Sequence, residues 1–271
     1  MPKPGFIRSS LRPDLPPEIF KKIVKATKEL LERRYKFLAK DFNDISKTNF
    51  NPLLLLITAP AYNLYSPFEV AERLQLGKAF HGDDTAFGRF AEEKILSLFN
   101  IVPPQEKKKG PSKSLWSPID VELTIEGTRY LMSIKAGPWT MNQSHANEMI
   151  NNFLNIHKST NAKILIGILY GNRPQLNNKP ALVARSLGSP AWLDYLVGRE
   201  FWEFVTGVKD VHEKIFRAIR KAQKEFAKLH ADETFHEQLV ANRLKIAASL
   251  RKQFKVDNDK DFWWTLFNKA F

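Results

Sequence analysis

A chain of 271 residues, 43% of them hydrophobic, can bury a large core in one domain or in two small ones. Lys and Arg outnumber Asp and Glu by 42 to 29, a formal +13, which points to an anionic partner such as nucleic acid or a membrane surface. The absence of cysteine excludes disulfide scaffolds, thiolate zinc sites and cysteine nucleophiles.

The opening M-P-K-P-G-F-I-R-S-S has no apolar h-region, so no secretory signal is expected. The longest apolar run, L-L-L-L-I-T-A-P-A-Y from Leu53, is too short to span a bilayer. The expectation is a soluble, cytoplasmic protein with no membrane partner.

From Pro16 to about Ser46, apolar residues recur at three and four, which predicts a long amphipathic helix. Ser66–Gly77 reads as a second helix with a serine cap and a proline at its first position, closing on glycine. A third is predicted to start at Asp84 as cap, with Phe87, Ala91, Ile95 and Leu98 along one stripe. Pro103–Ser114 reads as a polar, basic loop.

Two β-branched and aromatic runs follow, folded over Glu126, Gly127 and Thr128 as a hairpin. The helix after it turns Ala146, Met149, Ile150 and Phe153 inward. Lys163–Tyr170 is a nearly continuous apolar run, expected in the middle of a sheet covered on both faces. A short strand is predicted at Ala181–Ala184, and the chain from Pro190 onward reads mainly as helices. No linker or composition break divides the chain, so a single domain over 1–271 is expected. Its core spans about 82–207, between helical regions at 1–80 and 208–271.

A two-residue turn at Glu126-Gly127 or Gly127-Thr128 would set Asp120 across from Ser133 or Lys135, on one face of the sheet. Glu122 projects from that face, whereas Val121, Leu123, Ile125, Met132 and Ile134 point to the other side. By itself such a pair could be an ordinary surface ion pair.

Pro118, Asp120 and the S-I-K of Ser133 to Lys135 resemble the PD-(D/E)XK nuclease superfamily. More closely, G-D-D-T-A-F-G-R-F-A-E-E-K-I-L, S-I-K-A-G-P-W-T, I-L-I-G-I-L-Y-G-N and G-R-E-F-W are similar to a type II restriction endonuclease family whose members cut interrupted G-G-N-C-C-containing sites. The resemblance covers about 82–207. It implies an α/β restriction-endonuclease-like core, a central mixed sheet flanked by helices, with additional helices at both ends. It also implies Mg²⁺-dependent, sequence-specific hydrolysis of double-stranded DNA at a palindromic site, by a homodimer.

In that superfamily an Asp and an acid-x-Lys hold Mg²⁺ and polarise water, which assigns metal binding to Asp120 and water activation to Lys135. Ser133 stands at the acid's position and cannot replace a carboxylate as a charged ligand. Several relatives with Ser-x-Lys recover the acid from a glutamate about a dozen residues on; here that residue is Glu148, with Glu122 and Glu126 as rivals. The superfamily often adds a glutamate from the preceding helix, which favours Glu92 over Glu93.

Amide and guanidinium groups read base edges, and lysines grip phosphates. Trp139, Asn142, Gln143 and His145 beyond the lysine, and Asn172 and Arg173 beyond the central strand, are the candidates for DNA contact, although Asn, Gly and Pro also favour turns. Lys107, Lys108 and Lys109 suit phosphates. The histidines form no ligand set, and no glycine loop cradles a phosphate, so no nucleotide cofactor is expected. A catalytically silent nuclease-fold DNA-binding module, suggested by Ser133, and a structure-directed repair or junction nuclease are the alternatives.

Overall fold

In the computed structural model, which describes residues 5–43, 52–109, 115–230, 235–255 and 262–270, four strands build one mixed sheet. They are β1 (Val121–Ile125), β2 (Thr128–Lys135), β3 (Lys163–Ile168) and β4 (Leu193–Val197), in the order β1-β2-β3-β4. β1 and β2 pair antiparallel around Glu126 and Gly127, whose positive φ angles of 48° and 77° match the right-handed twist of a tight hairpin. β2, β3 and β4 run parallel, which requires crossovers long enough to hold helices.

The helices are α1 (Pro17–Lys36), α2 (Pro52–Tyr62), α3 (Pro67–Phe90), α4 (Gln105–Lys109), α5 (Gln143–Thr160), α6 (Lys179–Ser186), α7 (Arg199–Thr206), α8 (Val211–Leu229), α9 (Phe235–Phe254) and α10 (Phe262–Ala270). α1 and α3 each run on into a π-helical turn, at Phe37–Asp41 and Ala91–Ile95. No helix among the described residues is long and apolar enough to cross a membrane.

Both faces of the sheet are covered. Leu131, Ile164, Ile166 and Ile168 pack against Ala146, Met149, Phe153 and Ile156 of α5 and Val183 of α6. On the opposite face the Tyr130 ring meets Phe204 of α7 edge-on at 5.1 Å and Phe6 at 5.5 Å. The apolar continuity of K-I-L-I-G-I follows from this double cover.

Five elements differ from the sequence reading. The first helix, expected to run to about Ser46, ends with the π-helical turn at Asp41, and Ser46 lies outside the described residues. Ser66–Gly77 and the segment from Asp84 belong to one helix, α3, so Asp84 lies inside it and is not a cap. A glycine costs a helix interior only about 1 kcal/mol relative to alanine, and Gly77 is tolerated at that cost. Gly82 answers a packing need, since a Cβ there would lie 2.9 Å from the Arg34 guanidinium that pairs with Asp83. Pro103–Ser114 contains α4, because straight-chain residues follow the two prolines; residues 110–114 lie outside the described part.

Ala181–Ala184 is part of α6, entered through Pro180 near its start and Asn177, whose side chain accepts from Lys179 N at 3.0 Å. So short an apolar run carries no period to tell helix from strand. β4 lies in the stretch read as helical; its signal was L-D-Y-L-V bounded by glycine and proline.

By its internal contacts the chain divides into two compact units, Met1–Ala26 with Ala86–Ala222, and Thr27–Thr85 with Gln223–Phe271. The first holds the whole sheet. The second has its own buried core, including Leu64, Val70, Leu74, Ile246, Leu250 and Phe262. In it Asn242 Nδ2 donates to the carbonyls of Leu38 (2.9 Å) and Phe42 (2.6 Å), satisfying the end of the first π-helical turn. Of the aromatic tail, Phe262 is fully buried in that core and Trp264 is exposed.

Gly167 in β3 lets the sheet approach the helix beneath it closely, since a Cβ there would lie 2.4 Å from the buried Phe201 ring and 3.1 Å from Ile134 Cδ1. Gly167→Ala is expected to lower the free energy of unfolding in urea by about 1–3 kcal/mol through overpacking. An unchanged unfolding midpoint would contradict this packing.

Candidate active site

The β1–β2 ladder ends at Val121↔Met132, and Asp120, just before β1, donates its N–H to the Met132 carbonyl at 2.8 Å, so the turn at Glu126-Gly127 sets the ladder but Asp120 lies outside its register and is not paired with Ser133. Ile134 lies beyond the last β1 partner of β2, and its N–H donates instead to Asp120 Oδ2 at 2.7 Å. This bond orients the carboxylate on the end of the sheet. Lys135 Nζ stands 3.9 Å from the same oxygen and donates to Ser133 Oγ at 3.2 Å and to the Ile134 carbonyl at 3.0 Å. Asp120 and Lys135 are both mostly covered, with side chains 23% and 16% exposed, so the pair is screened less than a surface one.

The other carboxylate oxygen is held by a residue assigned from sequence to DNA phosphates. Lys107 Nζ lies 3.2 Å from Asp120 Oδ1 and donates to the Ile119 carbonyl at 2.5 Å. Its helix, α4, is fastened to the hairpin by Arg129 of β2. That guanidinium takes both oxygens of Glu106 at 3.0 and 2.9 Å and also binds Glu122 at 2.8 and 2.5 Å. The bond to Glu106 raises the Arg129 pKa above its ordinary value against the opposing effect of burial, and Glu122 adds to the rise. Lys108 lies in the same helix, but its side chain is outside the described residues.

Glu92 belongs to the π-helical turn Ala91–Ile95, a feature frequent at functional sites because it widens the helix locally. Burial raises its carboxyl from the ordinary carboxylate range to about 7, and the charge of Asp120 pushes the same way while Lys135 and Lys107 oppose it. Glu92 therefore shares the electrostatic environment of Asp120, Lys135 and Lys107. Glu93, beside it, is exposed.

The other acids are engaged elsewhere. Glu148, on the half-buried side of α5, accepts from Ser117 Oγ. Glu122 is tied to Arg129, and Glu126 in the turn accepts from Ser9 Oγ at 2.6 Å. Ser133 is fully buried. Among the described residues, no three His, Cys, Asp or Glu side chains gather closely enough to hold a metal ion.

Mg²⁺ needs only one or two carboxylates, because it keeps several waters in its octahedron. Asp120 with Glu92 meets that requirement in oxygen chemistry and charge. The raised Glu92 pKa reflects burial first and like-charge repulsion second, and a divalent ion would relieve both.

The residues considered for DNA contact are spread around this end of the sheet. Trp139 is 74% exposed. Asn142 caps α5 by accepting from His145 N at 2.9 Å, and Gln143 bonds to Asn147 and Lys179. The Nδ1 of His145 is buried with no partner among the described residues. Asn172 forms a capping box with Gln175. Arg173 binds Glu200 at 2.8 Å and the Tyr195 carbonyl at 3.1 Å, over the Tyr195 ring.

A mixed sheet flanked by helices, with an aspartate and a lysine converging beside its hairpin, defines a restriction-endonuclease-like core. The family model described as type II restriction endonuclease EcoO109I matches residues 18–227, and the chain belongs to this family of type II restriction endonucleases. No match was found among the curated proteins.

The Glu92 environment predicts a pH dependence for the metal-free protein. With a folded pKa of about 7 against an ordinary 4.5, the folded state holds the proton more tightly, so stability is full below pH 4.5 and falls as pH rises through 7. Glu92→Gln removes that loss. Wild type and variant should melt alike near pH 4, relative to which the variant should gain about 2 kcal/mol by pH 8. A wild type that instead gains on the variant over this interval would contradict the assignment.

Proposed function

We propose that this restriction endonuclease hydrolyses phosphodiester bonds of double-stranded DNA in the cytoplasm, with Mg²⁺ held by Asp120 and Glu92 and with Lys135 beside the attacking water. The observation that carries the reading is the convergence of Asp120 and Lys135 at 3.9 Å on one end of the sheet, with the Asp120 carboxylate fixed by the Ile134 N–H.

Hydrolysis needs a water made nucleophilic and an extra negative charge neutralised as the phosphorus accepts it. When bound, Mg²⁺ supplies Lewis acidity toward the phosphoryl oxygens. The protein's own groups do the rest. Asp120 is pre-oriented and loses no rotamer freedom when it binds. Lys135 is a compact cation that orients a water or stabilises the scissile phosphate, and its bonds to Ser133 and Ile134 aim it. Glu148, on the helix that packs over the Ser133 and Lys135 face, leaves Ser117 to supply the acid that Ser133 lacks. A carboxylate at position 133 itself would be buried beneath α5, which favours an acid delivered from that helix.

Duplex binding draws on the basic surplus of the chain for phosphates. Trp139, Gln143 and the α5 entrance with Asn142 and His145 face the bases from one loop, and Asn172 from the other; Arg173 joins them by exchanging Glu200 for DNA. Lys107 and Lys108 are the proposed phosphate contacts. The family resemblance supports an interrupted G-G-N-C-C site, and a palindrome is served by a two-fold homodimer with one active site per strand. The whole chain acts as one endonuclease domain, its chemistry confined to the unit that contains the sheet.

Asp120→Ala and Lys135→Ala should each lower cleavage by at least about a thousandfold while DNA binding, measured by anisotropy, stays within a few fold, since grip comes from many phosphates. Glu148→Ala should be comparably inactive, whereas Glu122→Ala retains much of its activity. Normal cutting by Glu148→Ala together with loss of cutting by Glu122→Ala would place the second acid on the hairpin instead.

A further inference from the structure

The two oxygens of Asp120 are used differently. Oδ2 accepts the Ile134 N–H at 2.7 Å, a bond that fixes the carboxylate plane. Oδ1 is the oxygen available to a cation, and a cation from the chain is already on it: Lys107 Nζ at 3.2 Å, closer than Lys135 is to Oδ2. The Ile119 carbonyl, at 2.5 Å, gives the same ammonium a second acceptor. Two oxygens, one charged and one neutral, thus form a small cation seat at the start of the hairpin.

The seat is supplied by a built element. Glu106, next to Lys107 on α4, is gripped through both oxygens by Arg129, which in turn is fixed to Glu122 on β1. Bidentate guanidinium–carboxylate pairing sets orientation as well as attraction, so α4 is registered against the hairpin and Lys107 is aimed at Asp120. The Lys107 side chain is still 34% exposed, which leaves its four-carbon stem a path away from the carboxylate.

We propose that Lys107 is a resident counter-ion of the active site, occupying the cation-facing oxygen of Asp120 in the metal-free protein and competing with a divalent ion for it. The proposal rests on the reading of Asp120 as a metal ligand. One oxygen cannot bring an ammonium and a divalent ion to the same seat, because the two cations repel at such a distance. The lysine therefore neutralises a carboxylate that would otherwise sit near a second acid, Glu92, and keeps metal affinity low until the ammonium is drawn off. A DNA phosphate close to α4 offers it an alternative anion, which would link metal loading to substrate binding.

Titration calorimetry with Mn²⁺ alone, on the full-length protein without DNA, tests this. Lys107→Gln should bind Mn²⁺ about tenfold more tightly than wild type, the removal of one partly screened positive charge from the ligand. Lys107→Arg should stay near wild type, and Glu106→Gln, which loosens α4 but keeps the lysine, should move in the same direction by a smaller factor. A merely structural lysine would give the opposite sign, since a disordered site binds metal worse. Unchanged or weaker binding by Lys107→Gln, while Asp120→Asn loses affinity, would overturn the counter-ion proposal. An Asp120→Asn variant that binds Mn²⁺ as well as wild type would overturn the metal-site reading beneath it.

Discussion

The hydrogen bond from the Ile134 N–H to the Asp120 carboxylate is the constraint on which the site depends. It exists because β1 begins only at Val121, leaving the Ile134 N–H on β2 beyond the last residue that β1 pairs, where the side chain of Asp120 accepts it. The tight Glu126-Gly127 turn sets the register of the ladder and so fixes how far β2 runs past Val121, where Asp120 reaches the Ile134 N–H. A turn at one end of the hairpin thus positions the chemistry at the other.

Around this bond the protein arranges an excess of cations over anions. Lys135 and Lys107 lie on either side of one aspartate, and Glu92 is held partly protonated near neutral pH by burial and by that aspartate. A metal-free site with this balance suits a protein whose substrate carries one charge per phosphate, because an ammonium can pass from carboxylate to phosphate at little net cost. On β2 a buried serine, Ser133, accepts from Lys135 at the position where the resemblance would put an acid. A carboxylate there would have to be desolvated under α5, and the proposed source of the acid is Glu148 on that helix, which bonds to Ser117.

Much of this was legible in the residue order. The hairpin, its turn, the two-sided burial of β3 and the inward stripe of α5 all follow from period and turn chemistry, which are local properties. Glu92 was distinguished from Glu93 by its place on the helical wheel, and the structure puts Glu92 in the field of Asp120 and Lys135 while Glu93 is exposed. What was not legible depended on long-range contact. Lys107 looked like one of three equivalent lysines in a loop; only the Arg129–Glu106 pair, across more than twenty residues of chain, singles it out. The continuity of α3 was hidden by Gly77 and Gly82, because the packing that needs a small residue beside Arg34 leaves no local trace. β4 was missed because five residues are too few to establish alternation. Asn142 and Asn172 each cap a helix, the turn role their residue type also foretold, and that role leaves their exposed amide groups to be tested on DNA.

A digest of plasmid DNA by the wild-type protein, with Mg²⁺ or with chelator, tests whether this end of the sheet cuts duplex DNA at defined sites with a divalent ion. Discrete fragments are expected in Mg²⁺ only, with sequenced ends that all fall at one interrupted palindrome. Retained binding without cutting, or cleavage confined to branched or damaged DNA, would contradict this expectation.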